Sequence, residues 1–284
     1  MSDGARRHIF ICADDYGISG AVNAAIRDLI ARRRINATSV MVAAPSFGHA
    51  EAAALLDNAG AHAAIGLHVT LTAPFAPLSH GFEPLRRGAF LSLASTLHRA
   101  HLRVFKPELL TIEIVRQFEA FNAGFGRPPD FVDGHQHVHL FPQIREALFG
   151  VVKDAAPNAW VRQCGRAGPA HKTLSDAKAL LLDGLSRRFR RLAGEHGLRT
   201  NAAFAGTYAF RSCADYTRLF ATFLEGMPDG GVIMCHPGKV DAELKRLDTL
   251  TDLREREYAF FSDASFPDLL AAHGVALGEG DVGC

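Results

Sequence analysis

Two adjacent carboxylates close an apolar run in ICADDYG, where Asp14 and Asp15 meet a turn marked by Gly17. Single polar groups stand in similar places further along: His68 in GLHVTLT, Asp133 with His135, His137 and His139 in DGHQHVH, Arg162 in AWVRQ and His236 in MCHPG. An acid with two or more neutral imidazoles suits a divalent transition metal, and three protein ligands leave a coordination position for water. If HQHVH continues a strand, its three histidines face one way, with residues two apart separated by ~6.5–7 Å. One ion bonded at ~2 Å reaches neighbours in that row but hardly His135 and His139 together. Spacing therefore leaves His135 with His137 as candidate ligands and the others as groups behind the ligands or facing a substrate. Of the two aspartates, one can bind the ion while the other serves as a general base or holds a ligand imidazole. Like charges so close resist joint ionisation unless a cation sits beside them.

Such groups need a scaffold that gathers them. Residues 8–14 read as a buried strand, and 19–34 as a helix capped by Ser19 with Val22, Ile26, Leu29 and Ile30 on one face. Strands at 38–44, 63–72, 130–138, 159–163, 200–206 and 230–238 alternate with helices at 47–56, 107–123, after Pro142, 173–195, 214–226 and 249–262, and a final helix and strand close the chain. Residues 73–106, rich in Pro, Gly and Arg, read as a long loop or short accessory excursion. Strand–helix alternation implies an α/β fold with a parallel sheet and right-handed crossovers. Seven or so units in one domain spanning 1–284 fit a TIM-like (β/α) barrel better than an open sheet. In parallel α/β folds functional groups gather past the C-terminal ends of strands, and five strands here deliver acids, imidazoles and a guanidinium to that rim.

Composition narrows the function classes. The chain has 284 residues, 48% hydrophobic and 21% charged, with a formal net charge of +1, so no global field favours nucleic acid. No apolar run approaches the ~20 residues that span a bilayer, and the N-terminus lacks the pattern of a secretion signal. Cysteines at 12, 164, 213, 235 and 284 form no CxxC pair, which suits a reducing cytoplasm better than a disulfide framework. NAT (36–38) fits a glycosylation acceptor without a secretory context, GEGDVG (278–283) has no helix after it to bind a pyrophosphate, and no GxSxG elbow occurs. SRRFRRL (186–192) reads first as a solvated helix face, and second as a peripheral contact for anionic lipid or an acidic partner. Taken singly, the DD pair reads as a solvated turn, His68 as a half-buried histidine, Arg162 as a salt-bridge partner and His236 as a strand cap. Their joint occurrence at strand ends favours a site.

In order along the chain, ADDYGIS, GLHVTLT, DGHQHVHLFP and MCHPG resemble the motifs of the YdjC-like carbohydrate deacetylases, which include the chitooligosaccharide and hopanoid-associated deacetylases. RLDTLTDLREREYAFF resembles that family's C-terminal region. The resemblance implies a distorted (β/α) barrel, one divalent ion (Mg2+ or Zn2+), and removal of an N-acetyl group from an acetylated amino sugar in a chitooligosaccharide or other glycoconjugate. It implies Asp14 as catalytic base, Asp15, His68 and His135 as metal ligands, and His236 as general acid. By position, Asp133 and Arg162 are expected to orient His135 and Asp14, with His137 and His139 behind the ligands or facing substrate. The substrate is expected to be a small molecule or oligosaccharide, the location cytoplasmic, and a homodimer in keeping with the family. The rival readings are another metallohydrolase on the same barrel, an amidohydrolase or phosphoesterase, and a sugar-binding module without catalysis.

Overall fold

The first apolar run becomes the central strand β1 (Arg7–Tyr16) of a parallel sheet, in a computed structural model that describes residues 6–167, 177–208 and 215–278. Helix α1 (Gly20–Ala31) follows, with the Ser19 side chain accepting from the Val22 N–H and the face of Val22, Ile26, Leu29 and Ile30 buried, as its periodicity requires. The alternation continues through β2 (Ala37–Val40), α2 (His49–Ala59), β3 (Ala64–Val69), α3 (Leu93–Leu102), α4 (Pro107–Phe125) and β4 (Phe131–Gly134). Next come α5 (Ile144–Ala155), β5 (Trp160–Val161), α6 (Ala177–Glu195), β6 (Phe204–Ala205) and α7 (Tyr216–Leu224). The last elements are β7 (Val232–Cys235), α8 (Ala242–Leu247), α9 (Asp252–Ser262), α10 (Phe266–Ala272) and β8 (Val275–Leu277).

The strands run in the order β5-β4-β3-β2-β1-β7-β6, with β8 paired to the first residues of β1. The sheet curls, and its two ends meet without a regular ladder. Isolated parallel bridges join Val161 to Thr200 and Arg166 to Phe204. Between them the Asn201 side chain stands in for a strand: it accepts from Gln163 N–H at 2.8 Å and donates to Gln163 C=O at 3.2 Å and Ala203 C=O at 2.8 Å. The result is a distorted (β/α) barrel. The irregular seam also explains why β5 and β6 are each two residues long, shorter than the apolar runs at 159–163 and 200–206 suggest.

Several local expectations change. The excursion at 73–106 is not loop throughout, since it holds α3, with Ser92 as its cap. Its first part is fastened to α4: the buried Glu113 carboxylate accepts from Leu78 and Ser79 N–H, and Gln117 bonds both backbone groups of Thr70. Asn36, in the NAT triplet, is 2% exposed and serves as an internal latch. It donates to Ile9 and Gly278 C=O and accepts from Ile11 N–H, tying β8 to β1, so it offers no acceptor for a glycan. In α6 the apolar row Leu182, Leu185, Phe189 and Ala193 is buried and Arg187, Arg188, Arg190 and Arg191 are exposed, which is the solvated face. Among the described residues no helix is long and apolar enough to cross a membrane. Cys12, Cys164 and Cys235 are free and buried. Cys213, Cys284, the start of the 173–195 helix, residue 214 and nearly all of GEGDVG lie outside the described residues.

Replacing Asn201 by Ala leaves the N–H and C=O of Gln163 without that partner at the seam, while the Ala203 carbonyl keeps its bond from Val232 N–H. Urea unfolding of Asn201→Ala is expected to show a loss of about 2–4 kcal/mol, since each buried unsatisfied group costs on the order of 1–3 kcal/mol.

Candidate active site

Successive strand residues point to opposite faces, so two adjacent aspartates should not reach one rim. Here the register of β1 on β2 shifts between Ala13 and Tyr16, and Asp15 takes a left-handed backbone with φ 71°. This bulge-like irregularity turns both carboxylates into one cavity of about 610 Å³. Gly17 completes the turn at φ 103°, where a Cβ would lie 2.8 Å from the Met41 carbonyl oxygen, so a glycine is required. The cavity is also lined by His68, His135, His137, His236 and the segment from Asp248 to Arg254.

Each aspartate has its own guanidinium. Arg162, from the end of β5, grips Asp14 with two bonds of 2.8 Å, from Nη1 to Oδ2 and from Nη2 to Oδ1. Its Nη2 also lies 2.6 Å from Asp133 Oδ2 and 2.8 Å from Cys12 Sγ. Cys12, Asp14 and Asp133 approach one another closely enough to suggest a metal site, but this guanidinium fills the space among them. Burial alone pushes the Asp14 carboxyl up, yet the charges of Arg162 and His68 outweigh it and hold the group below the usual carboxylate range.

Asp15 divides its two oxygens. Oδ1 faces His135 Nδ1 at 2.9 Å and His68 Nε2 at 3.4 Å, while Oδ2 accepts from Arg254 Nη2 at 2.5 Å. His236 Nε2 stands 4.0 Å from Oδ2. Against burial, Arg254 and His135 keep the Asp15 carboxyl well below its ordinary value. His68 Nδ1 is held by Asp133 Oδ1 at 2.6 Å and by Ser39 Oγ at 2.9 Å, which places the Nδ1 proton there and turns Nε2 to Asp15. Burial works against a charge on His68, but Asp133 and Asp14 outweigh it and raise its pKa to about 10. Positive charge is thus favoured at this point of the cavity.

Asp15, His68 and His135 offer ligand atoms that all lie within 4.8 Å of one another, every one on a buried side chain. A carboxylate behind one imidazole is the usual support of a metal-bound histidine. One acid and two imidazoles beside an open cavity are a donor set that suits a divalent ion with a free coordination position. These residues fit the group.

HQHVH is not the continuation of β4. The strand ends at Gly134, and His135–Leu140 form a 3₁₀ segment in which Gln136 and His137 are left-handed, with φ 54° and 60°. The three histidines therefore diverge instead of facing one way. His135 turns to Asp15. His137 also lines the cavity, with its ring against Phe204 and Nδ1 3.6 Å from Cys164 Sγ. His139 is buried behind them, bonded to the Arg162 carbonyl at 2.8 Å, and burial lowers its pKa to about 4. Gly134 lets the segment pack closely: a Cβ there would lie 3.1 Å from His139 Cβ and Nδ1, so a larger residue would have to displace that side chain. Asp133 contacts His68 and not His135, for a simple reason: the parallel register of β3 on β4 sets His68 directly beside Asp133. Arg162 meets Asp14, as its position suggested.

Three further residues carry the geometry. Ser39 bonds both Asp14 Oδ1 and His68 Nδ1. Arg254 and Glu257, one turn apart on α9, are at most 1% exposed; Glu257 accepts from His236 N–H at 2.5 Å and from Tyr208 Oη at 2.7 Å. The readable signal was charge on a buried stripe: Arg254, Glu257 and Phe261 share the face that α9 turns inward.

A family model described as "YdjC-like protein" matches residues 8–272. The chain is similar to a chitooligosaccharide deacetylase of Serratia marcescens, with 29% identity over 83% of each chain. It is also similar to a chitooligosaccharide deacetylase of Yersinia pestis (strain Pestoides F), 31% identical over 95% of this chain and 97% of that one. Among solved structures, a protein of Enterococcus faecalis V583, provisionally described as a cellobiose-phosphate cleavage protein, superposes with TM-score 0.74 at 19% identity, covering 96% of this chain and 97% of that one. That likeness bears on the fold.

Arg162 is the shared partner of two buried carboxylates. Arg162→Met is expected to lower the unfolding free energy by about 3–5 kcal/mol in a denaturant titration, the usual result of leaving a buried charge unpaired.

Proposed function

The chain belongs to the YdjC-like family, and from that premise we propose that it is a metal-dependent carbohydrate deacetylase, hydrolysing the N-acetyl group of an acetylated amino sugar in a chitooligosaccharide or related glycoconjugate. The observation that carries the reading is the convergence of Asp15, His68 and His135 at one point of a cavity that Asp14 and His236 also line. A cavity of about 610 Å³ lies within the ordinary range for small-molecule sites and leaves room for a sugar unit.

In this reading Asp15, His68 and His135 would hold one Mg2+ or Zn2+. When bound, the ion supplies a Lewis acid that polarises the acetyl carbonyl and makes water more acidic. Asp14 is the base. Its clamp by Arg162 keeps it ionised and aimed at the cavity. Asp133 and Ser39 hold the His68 ring so that Nε2 stays turned to the site. His236, at the end of β7, is the acid that protonates the departing sugar amine, with its backbone fastened through Glu257. Exchange of one proton in and one proton out balances the hydrolysis: water adds to the acetyl carbon, the C–N bond breaks, and acetic acid, which ionises to acetate and a proton, and the free amine leave.

Two measurements test this. Acetate release from N-acetylglucosamine oligomers is expected to stop after dialysis against a chelator and to return on adding Zn2+ or Mg2+; release that continues unchanged in the chelator rejects the metal-dependent reading. Asp14→Asn is expected to lower kcat by about 10²–10⁴-fold, the usual range for a general base, with oligosaccharide binding retained. Binding without turnover in the wild type as well would favour the sugar-binding module.

A further inference from the structure

The division of labour within the Asp15 carboxylate has a consequence for the ion. Resting on the reading of Asp15, His68 and His135 as the cation site, we infer that Arg254 is a positioning residue that reserves Oδ2 of Asp15, so that this carboxylate offers a cation one oxygen and not two.

The guanidinium is held so that it cannot leave Asp15. Nη2 is shared between Asp15 Oδ2 at 2.5 Å and Asp248 Oδ2 at 2.6 Å, and Nε donates to the Leu250 carbonyl at 3.0 Å. The backbone is pinned as well, since the Arg254 carbonyl accepts from Gly238 N–H at 3.0 Å. Gly238 packs against both neighbours: a Cβ there would be in ordinary contact with Arg254 Cβ at 3.5 Å and crowded by Val22 Cγ2 at 3.0 Å. Arg254 is 0% exposed, and a guanidinium taken out of water keeps carboxylate partners. A short charge-assisted bond of this kind is among the strongest available to a carboxylate oxygen.

Without it, a carboxylate that faces a cation can turn to bind through both oxygens, as acids commonly do around hard ions. The second oxygen then takes a position that a catalytic site keeps open for water or a substrate carbonyl. Arg254 therefore lowers the donor count of Asp15 and leaves that position open. The Asp248 contact carries the same restraint to the segment that walls the cavity, so one guanidinium sets both a ligand and the adjoining wall. Sequence order hides this link, because Asp15 and Arg254 lie 239 residues apart.

The test uses the whole protein loaded with Co2+, whose visible absorption weakens as coordination number rises. Arg254→Gln is expected to take up Co2+ as tightly as the wild type, to show a weaker visible band, and to lose about tenfold or more in kcat with KM little changed, the scale found when residues behind metal ligands are altered. Arg254→Lys keeps the charge and folds if the neutral variant does not. It is expected to show the same changes in smaller degree, because an ammonium keeps the charge but has no counterpart of the Nε bond to the Leu250 carbonyl that fixes the guanidinium. Wild-type band intensity and kcat in either folded variant overturn the inference. So does weakened Co2+ uptake with full activity restored at saturating metal, which makes Arg254 an orienting group only. A wild-type protein that takes up no Co2+ overturns the reading of the site and the inference together, whereas wild-type uptake with unmoved variants overturns the inference alone.

Discussion

Asp14 and Asp15 are each 2% exposed, and their ionised forms coexist because each faces its own guanidinium: Arg162 for Asp14 and Arg254 for Asp15. Two neighbouring anions in a low-dielectric interior would otherwise force one to protonate. The rest of the site depends on this separation. It requires the turn at Asp15, which spreads the side chains along one rim, and it requires cations from two distant elements, the end of β5 and the start of α9. A cation in the cavity adds to this arrangement. The pair does not wait for an ion to become tolerable, which is a stricter account than the adjacency of the two acids alone suggests.

The same logic runs through the imidazoles. His68 is oriented by Asp133, and that carboxylate is in turn shared with Arg162. Asp14, Arg162, Asp133, His68 and Asp15 thus form one continuous chain of contacts, with charges alternating from β1 to β5, β4, β3 and back to β1. Polar networks of this kind stand or fall together, because a partly satisfied one costs more than an apolar core. Left-handed backbones at Asp15, Gln136 and His137 sit at this network. Conformations of that sort cost on the order of 1–3 kcal/mol each and persist where surrounding contacts over-determine them.

α9 braces two parts of the site from outside the sheet, in addition to the pairing of β1 with β7. Arg254 fastens the carboxylate beside His68 and His135, and Glu257, one turn on, fastens the backbone of His236. Burial pushes the Glu257 carboxyl up, while His236, Tyr208 and Arg254 pull against it. Its two accepted bonds, from His236 N–H and Tyr208 Oη, satisfy the buried carboxyl there.

Much of the architecture was legible along the chain. Alternating apolar runs identify the strands and helices, and the strand-end rule picks out Asp14, Asp15, His68, His135 and His236, all of which line the cavity. Local patterns also identify Ser19 as a cap and the arginines of α6 as a solvated face. What the pattern could not carry was set by backbone conformation and register. HQHVH has the alternation of a strand, but two left-handed residues send His135, His137 and His139 in three directions. Asp133 belongs with His68 because β3 and β4 pair in one particular register. Asn36 has the look of a surface acceptor and is an internal latch. Residue type and spacing decide which groups can arrive at a strand end, because those depend on local periodicity. Which oxygen meets which nitrogen depends on contacts between residues as many as 239 positions apart, and only the folded chain brings those together.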